Sequence, residues 1–166
     1  MENSWYALYV KSRHEFITNR ELNKKGITTY LPSVKKLRQW KDRKKYVDFP
    51  LFPGYIFVNV KPSNDQFLNV VRTPGAVRLL ASRPGYPLPI SREEIDSLKI
   101  LVSSGNSLDI YPHLKEGMTV RVRRGPLSGA IGTLVKKEDN YMIFVNIHLL
   151  GRSVGVRVYA DDLEEA

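Results

Sequence analysis

Apolar positions along the chain follow two rhythms, one mixed and one strictly extended. Trp5-Tyr6-Ala7-Leu8-Tyr9-Val10 is a run of β-formers too short for a stable helix, which predicts a strand buried on both faces. Ser12-Arg13-His14-Glu15 has the form of a capping box, so a helix is expected from there to about Lys25, with Gly26 as its stop. Its core candidates are only Phe16, Ile17 and Leu22, so most of its surface should meet solvent. Ile27 to Leu31 reads as a second strand ended by Pro32, and Val34 to Val47 as an extended hairpin or flexible arm. In Phe49-Pro50-Leu51-Phe52-Pro53-Gly54-Tyr55-Ile56-Phe57-Val58 a rigid Pro-Gly turn launches a strand that continues to Val60. Alternation places Ile56 and Val58 on a core face and Tyr55 and Phe57 on the other.

Two further capping boxes follow. Ser63-Asn64-Asp65-Gln66 precedes a helix bearing Phe67, Leu68, Val70 and Val71, and Ser91-Arg92-Glu93-Glu94 precedes one bearing Ile95, Leu98, Leu101 and Val102. Ala76 to Leu80 supplies a strand between them. The resulting β-α-β-β-α-β-α order predicts an α+β domain, with helices packed on one side of an antiparallel sheet. Ser103-Ser104-Gly105-Asn106-Ser107 then shifts the composition to that of a linker. From Leu114 the pattern is all β, with turns at Gly125-Pro126, Glu138-Asp139-Asn140 and Leu150-Gly151-Arg152, and a small barrel is expected. The domains are therefore read as 1–104, a linker over 105–113, and 114–166.

Composition narrows the function. The 166 residues, 42% of them hydrophobic, suffice for one ordinary domain or two small ones. No apolar run approaches the roughly 20 residues of a membrane span, and the first residues lack the layout of a secretory leader, which predicts a cytoplasmic chain. The sequence has no cysteine and hence no thiolate nucleophile or cysteine-held zinc, while His14, His113 and His148 lie far apart without ligand spacing. Gly125, Gly129 and Gly132 match neither a dinucleotide loop nor a phosphate loop. No catalytic residue, metal site or cofactor is therefore assigned.

Charge adds the positive signal. The formal net charge is +9, with 18 Lys and Arg against 9 Asp and Glu through Ser104, and 8 against 8 from Gly105 on. A basic module beside a neutral one points to a polyanionic or acidic partner for the first. Lys35, Lys36, Arg38, Lys41, Arg43, Lys44 and Lys45 crowd into the arm with Leu37, Trp40 and Tyr46 between them, a composition that suits phosphate contact and stacking.

Trp5 to Val10, Pro50 to Val58 and the segment from Gly117 to Gly132 together resemble the NusG family of transcription elongation factors, the last segment resembling a KOW motif. That resemblance implies a NusG N-terminal α/β domain followed by a small SH3-like β-barrel KOW domain. It further implies docking on the clamp helices of the RNA polymerase β′ subunit, reaching toward the β gate loop, with suppression of pausing and termination. Tyr9, Phe52, Tyr55 and Phe57 match the apolar clamp-binding positions. Lys11, Arg13, Arg20 and Arg72 match positions facing upstream or non-template DNA, joined in the arm by Lys41, Arg43, Lys44 and Lys45. The barrel of the family recruits partners such as NusE or Rho, here through the region of Leu127 and Ile131. Leu127 stands where general factors often carry Phe, and Gln66-Phe67-Leu68-Asn69 lacks the His-Thr-Thr sequence of RfaH. The arm and the Pro50-Leu51-Phe52-Pro53 sequence are more similar to the specialised UpxY and RfaH paralogues. A monomer without membrane attachment is expected. The competing reading is a free-standing RNA- or ribosome-binding KOW protein.

Overall fold

The computed structural model describes residues 2–112, 117–137 and 140–166, which divide into two compact units, Met1–Pro89 and Ile90–Ala166. In chain order the first unit holds β1 (Ser4–Val10), α1 (Glu15–Lys24), β2 (Thr28–Tyr30), β3 (Ser33–Trp40), β4 (Arg43–Pro50), β5 (Tyr55–Val60), α2 (Asn64–Val71), β6 (Ala76–Leu79), β7 (Ala81–Arg83) and β8 (Tyr86–Pro87). Its main sheet has the order β2-β5-β1-β6, all neighbours antiparallel, while β3-β4 and β7-β8 are separate hairpins.

Alternation explains the core. Tyr6, Leu8 and Val10 of β1 and Ile56, Val58 and Val60 of β5 share one buried cluster with Leu22 of α1 and Val70 of α2. The expected layer of helices on one side of an antiparallel sheet is thus formed by α1 and α2. The opposite face of the two central strands is covered over its middle, where Trp5, Ala7 and Phe57 are buried, and opens at the Tyr9–Tyr55 end, where Tyr9 is exposed. Period-two patterning is lost where both faces are covered.

The three capping boxes fare differently. Ser63 Oγ accepts from the Gln66 amide at 3.3 Å and Ser91 Oγ from the Glu94 amide at 3.1 Å, each at the start of its helix. The first box does not form. Arg13 takes a φ of 63°, His14 is the N-cap without a side-chain cap bond, and Glu15 turns inward to the Gly54 amide. Phe16 and Ile17 are exposed rather than core, because α1 buries Glu15, Thr18 and Leu22 instead. Thr18 Oγ1 donates to the Pro74 carbonyl at 2.9 Å, and a Cβ on Gly75 would stand 2.1 Å from that oxygen, so glycine is required there.

The second unit holds α3 (Arg92–Ser103), β9 (Asp109–Pro112), β10 (Met118–Val122), β11 (Ile131–Lys137), β12 (Asn140–Ile147), β13 (Arg152–Val158) and β14 (Leu163–Glu165). These strands form one antiparallel sheet in the order β14-β10-β11-β12-β13-β9. Its interior is Val120, Val122, Ile143, Phe144, Val145, Ile147, Val154 and Val156. Gly155 lies directly opposite Phe144, and a Cβ there would fall 2.3 Å from the ring.

The compact units group the elements differently from the sequence reading. The helix α3, expected in the first domain, belongs to the second unit, where it touches β11 and β12 and Ser97 Oγ accepts from the Ile131 amide at 3.0 Å. The expected linker is shortened, since Asp109–Pro112 pairs with β13. His113, the Leu114 start of the barrel and Glu138-Asp139 of the hairpin tip lie outside the described residues. With the units so divided, the first carries 16 Lys and Arg against 6 Asp and Glu, and the second 10 against 11. The charge asymmetry is sharper than the linker position implied.

Candidate functional site

The four aromatics expected to make a docking face separate into two layers. Tyr9 of β1 and Tyr55 of β5 are directly opposed, with ring centroids 5.6 Å apart in an edge-to-face contact. Tyr9 is 37% exposed and Tyr55 is half-buried. Phe57 and Phe52, by contrast, are 0% and 4% exposed. Phe57 stacks on Tyr30 at 6.3 Å and meets Phe52 edge-on at 6.2 Å, so these rings are packing for the strand pair. The placement of Phe57 and Phe52 on an open face is therefore corrected, because Tyr30 and Phe52 cover β5 at Phe57 and bury both phenylalanines. Burial also pushes the Tyr30 phenol well above the usual tyrosine range.

The tyrosine pair is locally anchored. The Gly54 amide donates to Glu15 Oε2 at 3.0 Å, and the Val10 amide donates to the Gly54 carbonyl at 2.8 Å. Gly54 has a φ of 90°, and a Cβ on it would stand 3.4 Å from the Tyr9 ring. Arg78, paired with Tyr9 across β1 and β6, places its guanidinium 5.7 Å from the Tyr9 ring centroid. Arg78 is not picked out by the sequence, since Ala76-Val77-Arg78-Leu79 holds no aromatic residue and its pairing with Tyr9 needs the strand register. It gives the exposed ring pair a cationic rim.

The basic residues fall in two places within the first unit. Lys11, Arg13, Arg20 and Arg72 are all exposed. The Lys11 amide donates to the Gly75 carbonyl at 2.9 Å, which ties the loop bearing Lys11 and Arg13 to the turn that follows Arg72. Arg20 lies farther along α1. Lys41, Arg43, Lys44 and Lys45 are exposed on the β3–β4 hairpin, which pairs continuously from Ser33↔Pro50 to Trp40↔Arg43. The arm is an ordered ribbon.

In the second unit Leu127 is 7% exposed and Ile131 half-buried. Leu127 thus sits in the loop interior, with its carbonyl accepting from the Ala130 amide at 3.0 Å. Arg124 Nε donates to Asp162 Oδ1 at 2.6 Å, and that hydrogen bond raises the guanidinium further above its ordinary range. This pair fastens the end of β10 to the turn before β14. Glu94 Oε1 and His148 Nδ1 are in hydrogen-bond contact between α3 and the turn after β12. Among the described residues no group of three His, Asp or Glu is placed to hold a metal ion, and no helix is long and apolar enough to cross a membrane.

The first unit is a basic α/β fold that presents Tyr9 beside half-buried Tyr55, and the second is an antiparallel sheet with one helix. Residues 3–99 match the family described as transcription termination factor NusG, and the chain belongs to the NusG family. It is 25% identical to the transcription termination/antitermination protein NusG of Halalkalibacterium halodurans, covering 99% of both chains. Identity to the Staphylococcus aureus protein of the same description is 24%, over 97% of this chain and 94% of that one. A solved structure of Thermotoga maritima NusG, concerned with domain interaction, is 21% identical with a TM-score of 0.49 over 99% and 98% of the two chains. Members of this family are transcription factors, and this chain is a transcription termination/antitermination factor.

Proposed function

We propose that the first unit docks on RNA polymerase through the Tyr9–Tyr55 pair and its Arg78 rim, at the β′ clamp helices and toward the β gate loop, and so suppresses pausing and termination. The observation that carries this reading is exposed Tyr9 packed edge-to-face on half-buried Tyr55, on the basic unit of a NusG-family chain. Rigid aromatic anchors with an arginine beside them are the residue types that dominate interface energetics. Lys11, Arg13, Arg20 and Arg72 then face upstream or non-template DNA, and the β3–β4 hairpin adds phosphate contact. Phe52 and Phe57 support the face from beneath. The β unit recruits a further factor, NusE or Rho, near Leu127 and Ile131. The basic hairpin supports action restricted to particular operons, as in UpxY and RfaH types.

The test is binding of the full chain to purified RNA polymerase. Tyr9→Ala combined with Tyr55→Ala should weaken it by about 2 kcal/mol, roughly thirtyfold. Unchanged affinity in a folded double variant would refute the docking assignment.

A further inference from the structure

We propose that one face of the β3–β4 ribbon, carrying Lys36, Arg38, Arg43 and Lys45 beside the Phe49 ring, is a phosphate-binding strip for duplex DNA, and that the hairpin's other cations take no part in it. The inference deepens the nucleic-acid part of the function proposed above.

Register makes the division. Arg38 is directly opposite Lys45, Lys36 opposite Val47 and Val34 opposite Phe49. Opposed residues share a face and successive residues alternate. Lys36, Arg38, Lys45 and Arg43 therefore lie on the face of Val34 and Phe49, while Lys35, Leu37, Gln39, Lys44, Tyr46 and Asp48 lie on the other. Ring contacts support the assignment independently: Lys36 Nζ is 5.5 Å and the Arg38 guanidinium 4.8 Å from the Phe49 centroid. Half-buried Phe49 thus holds two neighbouring cations in place before any ligand arrives.

Charge is segregated on this ribbon. Asp48 is on the opposite face, across from Lys35, and Asp42 is in the turn. No ion pair within 4.0 Å joins any of the four cations to a carboxylate among the described residues. Like charges directly opposed, as in Arg38 and Lys45, oppose strand pairing. An anionic ligand removes that penalty.

Shape selects the ligand. A two-stranded ribbon is an element that the major groove of B-DNA admits. Single-strand binding needs open rings for base stacking. On this face the Phe49 ring is taken by its two cations, and exposed Tyr46 belongs to the other face with Leu37, which leaves Trp40, opposite Arg43 at the turn end, as the ring that the oligo-dT comparison probes.

The experiment measures affinity of the full chain for a 20-base-pair duplex (about two helical turns) and for oligo-dT of the same length, over a salt series. One variant combines Lys36→Gln, Arg38→Gln, Arg43→Gln and Lys45→Gln. A control combines Lys35→Gln, Lys41→Gln and Lys44→Gln. The strip variant should flatten the log–log salt slope by about 3 to 4 and weaken duplex binding at low salt by at least about tenfold, with the control within about 1 of the parent slope. Phe49→Leu should weaken duplex binding several-fold with unfolding unchanged. Equal flattening per charge in both variants would show net charge alone and overturn the strip, as would an unchanged slope in the strip variant. Tighter binding to oligo-dT than to duplex, or no duplex binding by the parent, would overturn it too. RNA polymerase affinity, measured in parallel, should be unchanged in the strip variant; its loss only in the Tyr9 and Tyr55 variant separates failure of the strip from failure of the docking reading.

Discussion

Glu15 Oε2 accepts a hydrogen bond from the Gly54 amide at 3.0 Å, joining the first turn of α1 to the turn that starts β5. The carboxylate is 6% exposed, and the turn it holds carries Tyr55 and touches Tyr9. One buried acid thereby fixes the height of the exposed ring pair. Glu15→Ala leaves the amide without its partner and should cost about 1–3 kcal/mol in urea unfolding. Glu15→Gln keeps an acceptor oxygen and should cost less. Equal stability of all three proteins would mean that the bond contributes nothing.

A side chain at position 155 collides with Phe144, since the nearest ring carbon stands 2.3 Å from where Cβ would be. Gly155→Ala should destabilise the second unit by about 1–3 kcal/mol through overpacking. Adding Phe144→Leu should recover part of that loss. Hydrogen exchange should quicken in β12 and β13 while β1 and β5 keep their protection, and uniform quickening would contradict a local cause.

Tyr30 makes the first unit sensitive to alkali. Its folded form keeps the phenol proton at pH values where the unfolded chain, titrating near about 10, has lost it. The unfolded state then binds fewer protons, so stability is intact below about pH 10 and falls as pH rises above it. In a phenolate absorbance titration, fewer than the nine tyrosines should ionise before unfolding. Tyr30→Phe should flatten the alkaline loss of stability, and an unaltered profile would place its cause elsewhere.

Ser97 links α3 to the first residue of β11 through the Ile131 amide. Ser97→Ala should cost about 1 kcal/mol and speed exchange at Ile131 in particular. Unchanged exchange at Ile131 would show that the bond does not hold the helix.

The sequence is most readable where local chemistry decides. Ser63 and Ser91 cap their helices as their spacing predicts, and the strand launched at Gly54 begins at Tyr55. Ser12 fails because Arg13 adopts a left-handed φ and Glu15 finds a better use against a turn 39 residues away. No local pattern contains that partner. Phe57 fails for a related reason: alternation assigns a residue to a face but does not say that Phe52 and Tyr30 will cover that face. The helix Arg92–Ser103 shows the limit for domain boundaries. A Ser-Gly-rich segment after it marks a break in composition, whereas its own Ser97 and Ile100 reach toward residues 129 to 131. Charge was easier to see than its geometry, since seven cations in the arm are visible in one dimension and their sorting between two faces requires the strand register.

The opposition of Arg38 and Lys45 gives the ribbon two salt responses of opposite sign. Added electrolyte screens their repulsion and firms the hairpin, while the same ions compete for any phosphates it holds. An anion that bridges the two side chains favours the paired conformation by mass action, as any ligand of the folded form does. Ordering of this ribbon and occupancy of its cationic face are then one coupled equilibrium, loosest in dilute buffer without a ligand and tightest in dilute buffer with one.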